Sequence, residues 1–250
     1  MKRAAILQPG YIPWLGFFEQ MSKSDVFVYL DDVQYTKNDW RNRNRIKTKE
    51  GIQWLTVPVS FEFGQQIREA RINNSFPWNK KHLQALRGWY SKSAFYEKYN
   101  EELEGILSKS WIYLVDLDVE VTQWLVNKLN LKIETVLASD LAISTEDKQL
   151  RIIEICKKLE CSHFYEGKSG QSYIDKDLFD SHGIMVEYQE YGHPYYNQLW
   201  VREQGFVSYL SIIDLLFNYG PDSLAILTGK KTVAKPEGMT MRHADSFKKL

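Results

Sequence analysis

Short apolar runs alternate with stretches of helical period along this chain. Ala4–Leu7 and Asp25–Leu30 are apolar runs bounded by turn residues, the pattern of strands buried on both faces of a parallel sheet. Trp14–Ser22 lies between them and predicts a short helix, so the three make a βαβ unit with a brief crossover. Ile52–Val59 alternates in part and carries Pro58, which predicts an edge strand with Arg68–Ile72 pairing nearby. From Pro77 to Lys128 the apolar positions recur at helical spacing, through Trp78, Leu86 and Tyr90, then Tyr99, Leu103 and Ile106, then Leu114, Leu117, Val121 and Leu125. Three helices are expected there, as a lobe over about 77–130. Ile133–Ala138, Ser162–Tyr165 and Met185–Tyr188 read as strands, and Thr145–Leu159 as an amphipathic helix capped by Ser144 or Thr145. Val207–Phe217 and Ser223–Leu227 read as helices divided by the breaker Asn218-Tyr219-Gly220-Pro221. The expected fold class is α/β, a mainly parallel sheet with flanking helices and a helical lobe, forming one domain over residues 1–230. Residues 231–250 turn polar and aperiodic, as a loose tail does.

At 250 residues and 44% hydrophobic, the chain can bury a full core. Its 32 basic and 32 acidic residues cancel, so no global field draws it to nucleic acid or an anionic membrane, and any anion site must be local. Cys156 and Cys161 do not form a disulfide framework, and the N-terminal apolar stretch is too short for a signal peptide or a membrane span. A soluble, cytoplasmic protein is expected. Aromatic residues reach 14%, with 8 Trp and 15 Tyr; they suit a pocket for sugars, or simply an aromatic-rich core.

Candidate chemistry concentrates where strands end. In an open α/β sheet, ligands sit beyond the carboxyl ends of the strands. Gln8, Tyr11 and Trp14 follow the first strand and Asp31-Asp32 the second, so one crevice is expected to hold both. Paired carboxylates bind a metal, orient an amine or sugar hydroxyl, or divide acid and base roles. The plainer alternative is that Asp32 caps a turn and Asp31 pairs with an arginine. Arg41, Arg43, Arg45 and Lys47 alternate with amide and apolar residues, which places the four cations on one side of an extended segment. They form either a phosphate grip or a solvated strand face. Glu166–Tyr173, with Ser169 at its centre, offers small residues for an anion nest or a plain turn, and it lacks the glycine spacing of a Walker A loop. His193, followed by Tyr196 and Gln198, is the histidine best placed to act as a general base, though a lone histidine is often structural. Cys156, Cys161 and His163 lack a fourth metal ligand, and neither thiol has an activating partner, so no metal site is expected.

Five motifs in order, Gln8-Pro9-x-Tyr11-x-Pro13-Trp14-x-Gly16-Phe17-Phe18, Asp31-Asp32-Val33-Gln34-Tyr35, Asn42-Arg43-x-Arg45-Ile46-Lys47, His193-Pro194-x-Tyr196-x-Gln198 and Ser211–Asn218, resemble the WbqC-like protein family over residues 4 to 230. The resemblance implies a place beside genes for O-antigen and other surface polysaccharides, and a transferase adding glycine or a similar acyl group to a sugar. The small-molecule partners expected are then a nucleotide sugar and an acyl donor, for example a thioester. A non-catalytic sugar-nucleotide-binding or assembly protein is the alternative. The expected catalytic residues are His193, Asp31 and Asp32; the expected binding residues are Gln8, Tyr11, Trp14, Arg43, Arg45, Lys47, Ser169, Tyr196 and Gln198. The opening order of elements is also similar to cytidylyltransferases and pantothenate synthetases. Their His-x-Gly-His is replaced here by Trp14-Leu15-Gly16-Phe17, so nucleotidyl transfer by that mechanism is not expected.

Overall fold

The computed structural model describes residues 1–37 and 39–243. In chain order the strands are β1 (Arg3–Leu7), β2 (Val26–Tyr29), β3 (Arg43–Lys47), β4 (Ile52–Thr56), β5 (Val59–Ser60), β6 (Arg71–Ile72), β7 (Glu134–Leu137), β8 (His163–Glu166), β9 (Met185–Tyr188), β10 (Phe206–Ser208) and β11 (Met241–His243). The helices are α1 (Leu15–Ser22), α2 (Trp78–Tyr90), α3 (Tyr96–Leu107), α4 (Leu114–Lys128), α5 (Lys148–Lys158), α6 (Lys176–Ser181), α7 (Val201–Gln204), α8 (Ile212–Tyr219) and α9 (Ser223–Leu227). The chain divides into two compact units: Met1–Pro9, Gly16–Val33 and Leu131–Gly192 make the first, and Gly10–Leu15, Gln34–Asn130 and His193–Leu250 the second.

In the first unit a five-stranded sheet has the order β7-β2-β1-β8-β9, with every pairing parallel. Each strand is four or five residues long, and Val26–Tyr29 is buried throughout, as a strand covered on both faces must be. On one face Phe17 of α1 packs its ring 4.9 Å from Phe27. Ile153, Ile155 and Cys156 of α5 join Ala4, Ile6, Val28 and Phe164 in an apolar cluster. Burying such side chains stabilises by roughly 1.5–3 kcal/mol each. Helix α5 starts two to three residues later than its periodicity suggested. Asp147, not Ser144 or Thr145, is its cap, because the Asp147 carboxylate accepts from Gln149 N–H at 2.9 Å and Leu150 N–H at 2.8 Å.

The second unit contains the antiparallel hairpin β3–β4, the short antiparallel pair β5–β6, the helices α2, α3 and α4 of the expected lobe, and α8 with α9. The lobe helices bury the stripes that their spacing predicted, among them Trp78, Leu86 and Tyr90, Tyr99, Leu103 and Ile106, and Leu114, Leu117, Val121 and Leu125. Gly220 ends α8 with φ +52; a Cβ there would stand 2.4 Å from the Phe95 ring, so only glycine fits. The helix expected over Val207–Phe217 is corrected at its start. Phe206–Ser208 is a strand paired in parallel with Met241–His243, and α8 begins only after Ser211, whose hydroxyl caps it. Residues 244–250 of the expected tail lie outside the described residues.

Candidate functional site

The two sheet neighbours of β1 are reached in opposite senses: β1 leads through α1 to β2 on one side, whereas β8 lies on the other. By order of occurrence within the unit the sheet reads 3-2-1-4-5, and the order reverses between β1 and β8. Loops leaving two such strands diverge to opposite faces, which opens a crevice at their carboxyl ends. Gln8 follows β1 there, and its Oε1 is buried with no hydrogen bond among the described residues. Glu166 ends β8, and the turn Lys168–Ser172 follows it with Lys168 and Ser169 exposed. Gly170 is pressed on Glu166, since an added Cβ would meet Glu166 Cγ at 2.3 Å. The Tyr173 hydroxyl donates to Glu166 Oε1 at 3.1 Å. Burial raises the Glu166 carboxyl to about 7, with the Tyr173 and Gly167 hydrogen bonds working against it. Behind this edge, Gln189 Nε2 donates to Glu19 Oε2 at 2.6 Å and to Gly16 O at 2.9 Å, fastening α1 to the end of β9.

Asp31 and Asp32 also follow a strand of this sheet, but each has a protein partner. Ser139 donates its N–H to Asp31 Oδ1 at 3.0 Å and its hydroxyl to Oδ2 at 2.7 Å, which fixes the turn after β7. Arg151 Nη1 lies 3.3 Å from Asp32 Oδ2. The alternative of a turn contact and an arginine pair is met with the two residues exchanged.

The remaining expected residues, Tyr11, Trp14, Arg43, Arg45, Lys47, His193, Tyr196 and Gln198, belong to the second unit. Tyr11 is fully buried, and its hydroxyl lies 2.9 Å from His82 Nδ1. Ile12 beside it has φ +38, a strained angle for a β-branched residue, and Asn44 Nδ2 holds the carbonyls of Tyr11 and Ile12 at 3.3 and 2.9 Å. The expectation that four cations share one open face is corrected for Arg45 and Lys47, which are 3% and 0% exposed. Arg43 and Arg45 stack over Trp54 at 4.4 and 5.2 Å, and Arg45 also lies over Trp40 at 4.6 Å. Lys47 points into the interior, where Nζ donates to Gln198 Oε1 at 3.0 Å and to Gly205 O at 2.5 Å. Gly205, at φ +67 with Thr240 O where a Cβ would go, has no room for a side chain.

Around Lys47, the Tyr90 hydroxyl accepts from Lys47 N–H at 3.0 Å and donates to Asp214 Oδ2 at 2.8 Å. Burial lowers Lys47 to about 8 against the pull of Asp214, and burial raises the Asp214 carboxyl against Lys47 and Tyr90. His193 sits among rings, with Tyr209, Phe206 and Tyr196 centred 5.2, 5.7 and 6.3 Å away, and Tyr209 stacks in turn on Trp14 at 5.3 Å. His193 Nδ1 is 3.0 Å from Pro194 O, so Nδ1 carries the proton, and burial lowers the ring to about 4. A base that weak is poorly matched to neutral pH.

The matching family model is described as the WbqC-like protein family and spans residues 8–226. The chain belongs to the WbqC-like family. It is 37% identical over 237 residues to an uncharacterized protein of Mycobacterium tuberculosis, covering 89% of this chain and 96% of that protein. No solved structure gives a significant match. No helix among the described residues of this WbqC-like chain is long and apolar enough to cross a membrane. Cys156 lies in the first unit's core, and burial pushes its thiol up to about 12, far from the thiolate a nucleophile or metal ligand needs.

Three polar residues of the WbqC-like chain escaped sequence reasoning because they lie on apolar helical stripes: His82, Asp118 and Asp214. The usable signal was an acid or imidazole at a stripe position, as in Ile212-Ile213-Asp214-Leu215-Leu216. Asp118 is the extreme case, 0% exposed, with neither carboxylate oxygen hydrogen-bonded among the described residues. Burial raises its pKa well above the ordinary aspartate range, and its charge would bear on Tyr11 and Tyr35. Because the folded pKa exceeds the unfolded one, Asp118 costs stability as pH rises above about 4. Asp118→Asn is therefore expected to stabilise the second unit at pH 7, by about 1 kcal/mol or more, and to leave stability at pH 4 nearly unchanged. Urea unfolding at the two pH values checks this; an equal effect at both would refute the ionisation argument.

Proposed function

We propose that this protein is a transferase of surface-polysaccharide biosynthesis that adds an acyl or aminoacyl group to a nucleotide-linked sugar, with the sugar nucleotide seated at the carboxyl edge of the first unit's sheet. The observation that carries the reading is the reversal of strand order between β1 and β8, the place where doubly wound sheets bind nucleotides. Two features at that place support a polar, anionic ligand. Gln8 Oε1 is buried and has no donor among the described residues, a state that a ligand hydroxyl or amine relieves. The exposed turn Lys168–Ser172 supplies a cation and small residues beside it, with Ser169 at its tip. WbqC-like membership supports the pathway, since the family resemblance implies surface-polysaccharide gene neighbourhoods.

The experiment is to incubate the protein with a panel of nucleotide sugars and acyl and aminoacyl thioesters and to follow products by mass spectrometry. The expected result is a sugar nucleotide heavier by the acyl group. Binding without turnover across the panel would favour the non-catalytic alternative, and no binding of any nucleotide sugar would sink both.

A further inference from the structure

We propose that Glu166, held at the carboxyl end of β8 by the Tyr173 hydroxyl and by the close approach of Gly170, is the proton acceptor for the sugar group that becomes acylated. This rests on the reading that a nucleotide sugar occupies that edge. The position is built rather than incidental. Glu166 pairs with Tyr188 in the sheet, and its carbonyl accepts from Gln189 N–H at 2.7 Å, so its backbone is fixed against β9 at the strand end. Its side-chain stem fills the space a residue larger than glycine would need at position 170. One carboxyl oxygen is oriented by Tyr173 at 3.1 Å, and the surrounding turn residues Lys168, Ser169 and Tyr173 are exposed, so solvent reaches the edge from which a ligand approaches.

The titratable groups facing Glu166 are the phenols of Tyr173 on the turn and Tyr188 on β9, with Lys176 Nζ 5.4 Å from the Tyr188 ring centre. Neither phenol is charged at neutral pH, so nothing opposes the effect of burial except hydrogen bonds. A carboxyl near 7 is matched to proton transfer at physiological pH, in contrast to His193 near 4.

The step balances with a thioester donor. Glu166 carboxylate takes the proton from the acceptor hydroxyl or amine of the sugar. The oxygen or nitrogen attacks the acyl carbonyl, the new C–O or C–N bond forms and the C–S bond breaks. The departing thiolate receives the proton from Glu166, which returns to its starting state.

Two measurements test this on the full chain, with UDP-glucose and dTDP-glucose as probes. In calorimetric titration from pH 5.5 to 8.5, wild type should bind the better probe several-fold more tightly above pH 7 than below, since an ionised carboxylate accepts the sugar hydroxyl more strongly. Glu166→Gln should bind with no pH dependence. Tyr173→Phe should move the inflection upward, because Tyr173 holds the carboxyl down, and a purely structural role for Tyr173 would not shift it. With thioester donors, Glu166→Gln should lose a hundredfold or more in kcat while KM rises only several-fold, as the lost carboxylate contact requires. A Glu166→Gln protein that keeps the wild-type pH dependence, or the wild-type kcat, overturns the role of Glu166 while leaving the nucleotide-sugar reading intact. Wild type that binds neither probe at any pH overturns that reading, and this inference with it.

Discussion

Lys47→Met is expected to destabilise the second unit by about 3–5 kcal/mol. The residue is 0% exposed, and its ammonium answers Gln198 Oε1, Gly205 O and the charge of Asp214. Methionine keeps the stem and the packing, so the loss isolates the charge. It takes the donor from Gly205 O, one of two donors from Gln198 Oε1, which still accepts from Val207 N–H at 2.9 Å, and the counter-charge from a buried carboxylate. Asp214 then takes up a proton more readily, which sets the upper limit of the penalty. A double-mutant cycle separates these contributions: Asp214→Leu combined with Lys47→Met should be less destabilising than the sum of the two singles. Urea unfolding followed by tryptophan fluorescence is well suited, because all 8 tryptophans lie in the second unit. Additive singles, or a Lys47→Met protein as stable as wild type, would show that Lys47 is not a buried structural charge. If Lys47 served only to hold phosphate, the same substitution would weaken ligand binding and leave the urea midpoint where it was.

Elements whose partners lie close in sequence were legible. The runs Ala4–Leu7 and Val26–Tyr29 became strands, and the stripes from Trp78 to Leu125 became helices, because burial pattern and chain period say the same thing there. Phe206–Ser208 was not legible as a strand, since what makes it one is Met241–His243, 35 residues on, in a segment without periodicity. The Asp31–Ser139 contact spans 108 residues and leaves no local mark. Alternation in Arg43–Lys47 predicts the extended backbone that is found, yet alternation cannot say which face is buried. Here β4 supplies Trp54 for the arginines, and residues 151 and 158 positions away supply the acceptors for Lys47. The edge between β1 and β8 was visible as two separate strand ends, Gln8 and Glu166–Tyr173. Only the strand order brings them together, and strand order is a long-range property.

Acidification from pH 7 to 4 is expected to cost His82 alone about 3 kcal/mol of the second unit's stability. Burial lowers His82 to about 4, against 6.5 in an unfolded chain, and the ring's contact with Thr56 backbone only partly offsets that. Between those values the unfolded chain binds a proton that the folded one does not, so stability is intact above 6.5 and is lost as pH falls towards 4. His193 carries the same sign over the same window. Asp118 and Asp214, both raised by burial, carry the opposite sign and gain on acidification, so the wild-type curve is a difference of large terms. The variant His82→Gln removes one term. A glutamine amide keeps a hydrogen-bonding partner for the Tyr11 hydroxyl, so its cost at pH 7 should be about 1 kcal/mol, the worth of an imperfect hydrogen bond. At pH 4 the order should invert, with His82→Gln the more stable protein by about 2 kcal/mol. Tryptophan-detected urea unfolding at pH 7, 5.5 and 4 measures both. Parallel curves for the two proteins across that range would mean that His82 titrates normally in the fold, and that the Tyr11–His82 contact is open to water.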